Sequence, residues 1–127
     1  MKNRNVVILS AVSLLVSPQL LWANMSYQTG DIIFHVSKSQ QSLGIQKATK
    51  SRYSHMGLIV NKDGKAWVLE AVQPVKYTAL QQWIDRGVER HYVVKRFKTN
   101  LTVQQKQQLI KNAEQYLGQP YDLYFEW

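Results

Sequence analysis

The chain has 127 residues, enough for one domain of ordinary size. Hydrophobic residues make up 45% and charged residues 19%, a globular composition that argues against disorder. There are 16 Lys and Arg against 8 Asp and Glu, a net charge of +8, and no cysteine, which excludes disulfides, thiolate metal ligands, lipid attachment through cysteine and a cysteine nucleophile within these residues.

The N-terminus reads as an address. Lys2 and Arg4 form a basic start, Val6 to Val16 is apolar apart from Ser10 and Ser13, and Pro18 follows. Leu21-Trp22-Ala23 then ends on a small residue. This three-part pattern predicts a secretory signal peptide over residues 1–23, cleaved near Ala23. A membrane anchor fits less well, because the apolar run is shorter than the roughly 20 residues a span needs. Pro18 and Gln19 also interrupt its end. Cleavage would leave a domain over residues 24–127 and, with Lys2 and Arg4 gone, lower the charge from +8 to +6. The expected location is the periplasm or cell envelope.

Asp31 to Val36 reads as a strand entered through a tight turn at Gly30, with Ile32, Phe34 and Val36 on one face and Ile33 and His35 on the other. Residues 39–49 read as a helix with Ser39 as N-cap and Leu43, Ile45 and Ala48 as its apolar members. His55 to Val60 and Trp67 to Val72 form two strands around Asn61-Lys62-Asp63-Gly64-Lys65, where Asp-Gly signals a hairpin. Pro74 ends the second strand. Residues 79–86 allow one or two helical turns with Leu80, Trp83 and Ile84 inward, and Tyr92 to Phe97 alternates as a strand. The last helix has Thr102 and Gln105 as a capping box, Leu109, Ile110, Ala113, Tyr116 and Leu117 at helical spacing, and Gly118 as C-terminal cap before Pro120. The order predicts an α+β fold with a mostly antiparallel sheet and flanking helices.

His55 and Glu70 stand out on the central hairpin. If Val60 pairs with Lys65, His55 sits directly opposite Glu70; if Asp63-Gly64 is a two-residue turn, Glu70 faces Gly57, one diagonal step from His55 on the same face. An odd-length loop would part them. A carboxylate beside an imidazole fixes its tautomer and stabilises its protonated form, the base-and-orienter half of a nucleophilic triad. A structural His–Glu pair at a sheet edge satisfies the same spacing. Ser54 would point to the opposite face from His55, and no G-x-S-x-G motif is present. His35, His55 and His91 show no metal-ligand spacing, so neither a metal nor another cofactor is expected.

Trp67 and Trp83 read as core or groove residues. Tyr121, Tyr124, Phe125 and Trp127 place four aromatics in the last seven positions, a cluster that needs a surface to pack on. The positive charge is spread over Lys38, Lys47, Lys50 and Arg52 before His55 and over Arg86, Arg90, Lys95, Arg96 and Lys98 after it. That suits a solvated basic surface or peripheral contact with anionic envelope polymers or headgroups. No nucleic-acid recognition motif accompanies it.

The ordered series Gly30-Asp31-Ile32-Ile33-Phe34, Ala48-Thr49, Tyr53-Ser54-His55-Met56-Gly57, Leu69-Glu70-Ala71-Val72, Pro74-Val75-Lys76-Tyr77-Thr78 and Tyr116-Leu117-Gly118-Gln119-Pro120-Tyr121-Asp122 resembles the YiiX/YaeF-type permuted papain-like amidases, a branch of the NlpC-like hydrolase superfamily. The resemblance covers residues 27–127. It implies a permuted papain-like fold in which His55 is the base and Glu70 the third polar residue. The nucleophilic cysteine is expected later, at the start of a helix shortly after the segment matching Tyr121 to Trp127. The implied chemistry is thiolate attack on an amide or ester, in a cell-wall peptide or a lipid-linked acyl group. On this resemblance the 127 residues are the N-terminal part of such an enzyme, inactive alone, with one apolar sheet face short of its cover. The alternative is a non-catalytic envelope-binding module using the basic surface.

Overall fold

The computed structural model describes residues 26–120. Residues 1–23, expected to be a signal peptide, and the aromatic cluster from Tyr121 to Trp127 lie outside the described residues. The elements in chain order are β1 (Ile32–Ser37), α1 (Ser42–Thr49), β2 (His55–Lys62), β3 (Lys65–Glu70), β4 (Lys76–Ala79), α2 (Leu80–Arg86), β5 (Gly87–Lys95) and α3 (Val103–Glu114). The strands form one antiparallel sheet in the order β4-β3-β2-β1-β5, so the α+β class expected from the sequence is the observed one.

The hairpin between β2 and β3 sets the register. Lys62 pairs with Lys65 and Leu58 with Leu69, which leaves Asp63 and Gly64 as a two-residue turn. Both have positive φ, 51° and 73°, the conformation a tight hairpin of this twist demands and the reason glycine sits second. Of the two registers open from sequence, this is the one that places Glu70 diagonally from His55.

Period-2 alternation then sorts every strand into two faces. One face carries Ile33 and His35 of β1, His55, Gly57 and Ile59 of β2, Val68 and Glu70 of β3 and Thr78 of β4. Helix α2 lays Trp83 and Ile84 on it, and Ile33, Ile59, Val68 and Trp83 are fully buried together as the core. Gly57 is required by this packing, because a Cβ there would lie 2.1 Å from a Val68 methyl.

The opposite face carries Phe34, Met56, Leu58, Val60, Trp67, Leu69 and Tyr77. Helix α3 reaches it near one end, where Glu114 accepts hydrogen bonds from Tyr77 Oη at 2.6 Å and Lys62 Nζ at 3.0 Å. Val60 and Leu69 are buried, whereas Met56 is 50% exposed. Among the described residues no helix is long and apolar enough to cross a membrane.

Helix α1 starts at Ser42 with Gln41 at the cap and no side-chain cap bond, so Ser39 is not its N-cap. Leu43 is 60% exposed and Ala48 is exposed; the helix buries Ser42 instead. β1 begins at Ile32 rather than Asp31, and β3 ends at Glu70, with Ala71 and Val72 outside it. β4 was not foreseen, since four residues after Pro74 are too few to show alternation. β5 starts five residues earlier than Tyr92, its alternation hidden by Glu89 and Arg90 at positive φ. Helix α3 has the expected capping box but stops at Glu114; Gly118 lies beyond it, and its N–H donates to Val75 O at 2.9 Å.

Candidate active site

The start of β2 and the end of β3 bring His55 and Glu70 together as the parity of the hairpin requires. His55 Nε2 lies 2.7 Å from Glu70 Oε2. The Glu70 side chain is fully buried and that of His55 is 20% exposed, so a shielded carboxylate holds an imidazole that solvent can reach. Glu70 Oε1 accepts from Thr78 Oγ1 at 2.5 Å and from the Arg86 guanidinium. Burial alone would push the Glu70 carboxyl up; hydrogen bonds from His55 and Thr78 and the charges of Arg86 and His55 outweigh it and hold it down at about 2. Glu70 is therefore ionised at neutral pH and can only accept. His55 must donate through Nε2, which leaves the lone pair on Nδ1.

His35 pairs across the strands with His55, their ring centroids 5.4 Å apart, and stacks on Trp83 at 3.8 Å and 18°. Burial pushes the His35 imidazole down, and the charges of His55, Arg86 and Lys38 add to this, to about 4. Its Nδ1 and Trp83 Nε1 are buried and have no hydrogen-bond partner among the described residues. His35 is thus a neutral wall beside His55. Trp83, read from sequence as core or groove, is fully buried in the core.

A cleft of about 560 Å³ opens over this group, lined by His35, Lys38, Ser39, His55, Val72 and Arg86 among others. A second, more apolar hollow of about 400 Å³, bounded by Phe34, Tyr53 and Met56, shares His55, Ser54, Ile45 and Ala71 with the first. Ser54 Oγ is engaged structurally: it accepts from Ser37 N at 2.8 Å and lies 2.6 Å from Ser42 Oγ.

The sequence reading found His55 and Glu70 but missed Thr78, Arg86 and His35 as their neighbours. Thr78 belongs to the unforeseen β4. Arg86 was counted only as surface charge, and His35 only as a face marker. The signal for His35 was its alternation with Ile33, which put an imidazole on the apolar side of β1.

Among the described residues no group of three His, Asp or Glu side chains is placed to hold a metal ion. Both Glu70 oxygens are already engaged by His55, Thr78 and Arg86.

Comparison with known proteins identifies the family. The family model for the permuted papain-like amidase enzyme, YaeF/YiiX, C92 family, matches residues 26–127. The chain is 50% identical to the uncharacterized protein YiiX of Escherichia coli (strain K12) over 128 residues, which span 100% of this chain and 60% of that protein. A crystal structure of metalloprotein yiiX from Escherichia coli O157:H7 superposes with a TM-score of 0.72 at 55% identity, covering 75% of this chain and 53% of that one. The fold, the register that pairs His55 with Glu70 and the family match lead to one conclusion: this chain belongs to the YaeF/YiiX family of permuted papain-like amidases.

Proposed function

We propose that His55 and Glu70 are the base and the orienting residue of a thiol hydrolase acting on amide or ester bonds, whose nucleophile is not among these 127 residues. The observation that carries this is the 2.7 Å contact between His55 Nε2 and a buried, ionised Glu70. It sets the tautomer a base needs and places the compensating charge where an imidazolium would form.

In the proposed cycle Nδ1 of His55 removes the proton from a thiol. The thiolate attacks the acyl carbon, and the imidazolium returns the proton to the leaving amine or alcohol as the C–N or C–O bond breaks. Water, or another acceptor, gives up its proton to Nδ1 and releases the acyl group from sulfur. Glu70 stays ionised throughout and stabilises each imidazolium. The proposed setting is the cell envelope, with a cell-wall peptide or lipid-linked acyl group as substrate. The basic, apolar and small-residue order of residues 1–23 supports export. Lys38 and Arg86 at the cleft would favour anionic surroundings.

The test joins this chain to the segment of Escherichia coli YiiX that follows the matched region and measures hydrolysis of acyl amides and esters. The 127-residue chain alone should show none. The joined chain should turn over, and His55→Ala should lower its kcat/KM by roughly a thousandfold or more. Turnover by the 127 residues alone that His55→Ala abolishes would overturn the proposal, as would a joined chain indifferent to that substitution.

A further inference from the structure

We propose that Thr78 and Arg86 are positioning residues that clamp one oxygen of Glu70 so that the other is held for His55. The inference rests on the reading of His55 as base.

A carboxylate has two equivalent oxygens on a terminal torsion that is broad and nearly two-fold. Buried with one partner only, Glu70 could present either oxygen. The structure removes this freedom. Thr78 Oγ1 at 2.5 Å and the Arg86 guanidinium both donate to Oε1, and His55 meets Oε2 at 2.7 Å.

The three donors come from three elements. Thr78 stands on β4, paired with Val68 and on the same face as Glu70. Arg86 is the last residue of α2, and His55 opens β2. The carboxylate is the point where β2, β3, β4 and α2 are joined by polar contacts.

Arg86 has a second consequence. A general base spends part of its cycle neutral, and during that part a buried Glu70 paired with His55 alone would be an uncompensated charge, a costly state. Arg86 supplies the opposite charge in both states of the imidazole. Glu70 can then remain ionised and in place while His55 gains and loses its proton. Thr78 adds direction without charge. A valine of the same shape would fill the space and suit the strand but leave Oε1 one donor short.

Proton NMR of the ring N–H of His55 in the 15N-labelled 127-residue chain tests this directly. The parent should show an Nε2–H signal protected from solvent exchange. Thr78→Val and Arg86→Gln should each speed that exchange roughly tenfold or abolish the signal, and Thr78→Ser should restore it. In the joined chain, Thr78→Val should lower kcat with KM unchanged, and Thr78→Ser should recover it. Variants that remain folded by circular dichroism and keep the parent's exchange rate would overturn the clamp. If Thr78→Val fails to fold, Arg86→Gln decides alone. A clamp that behaves as stated in a joined chain with no hydrolysis would overturn the base assignment and leave the clamp standing.

Discussion

The two faces of the sheet are built to different standards. On one, Trp83 of α2 closes over Ile33, Ile59 and Val68, all four fully buried, and the edge of that packed layer holds Glu70 and His55. On the other, Val60 and Leu69 are buried, but Met56 is half exposed and Phe34 and Leu58 are only partly covered. Helix α3 is tied there through Glu114 and buries none of its own residues fully. The close packing lies beside the His55–Glu70 pair. The chain spans 60% of the YiiX protein it matches. The His55–Glu70 pair stands on the closely packed face.

The largest expected effect comes from breaking the packed face. Trp83→Ala removes the indole that stacks on His35 and fills the core, and should lower stability by about 3–5 kcal/mol in urea unfolding. An unfolding midpoint close to the parent's would mean that α2 is not the lid of the core.

Acid probes the packed face next. His35 lies near 4 in the fold against an ordinary 6.5, so the unfolded chain takes that proton first and stability falls as the pH drops from 6.5 towards 4. Glu70 lies near 2 against an ordinary 4.5, so its contribution is complete above 4.5 and is lost as the pH falls towards 2. Both groups belong to the packed face. The urea midpoint should fall in two stages, and His35→Gln should remove the first while leaving the second. A midpoint flat between pH 6.5 and 4 in the parent would contradict the buried, neutral state of His35.

The smallest effect belongs to the open face. Met56→Lys replaces a half-exposed side chain beside His55 but on the other side of the sheet, and should change stability by less than about 0.5 kcal/mol. It should also reduce self-association of the 127-residue chain in sedimentation. A loss comparable with Trp83→Ala would show that the two faces are equally packed.

The site was legible in the sequence to the extent that it is local. Asp63-Gly64 and the strand period of two put His55 and Glu70 on one face in either even register. What supports them is non-local. Thr78 reaches Glu70 only because β4 folds back on β3, and its four residues carry no periodicity of their own. Arg86 looks like any other surface cation until α2 is docked. The apolar residues of α1 misled for a related reason: Leu43 and Ala48 sit at helical spacing, but the helix turns Ser42 inward to meet Ser54. Periodicity reports a face and leaves open which partner covers it. Helix α3 was read well at its start because a capping box is contained in four residues, and less well at its end, where Gly118 bonds to Val75 instead of capping the helix.

We propose that His55, oriented by Glu70, activates a thiol that is not among these 127 residues. The most direct measurement is the rate at which iodoacetamide alkylates the nucleophilic cysteine of the joined chain as a function of pH. Alkylation should be fast well below the ordinary thiol range, because an imidazolium backed by Glu70 stabilises the thiolate. His55→Ala should slow alkylation roughly tenfold or more at pH 6, with Glu70→Gln between that variant and the parent. A cysteine that alkylates at the same rate with and without His55 would contradict this proposal.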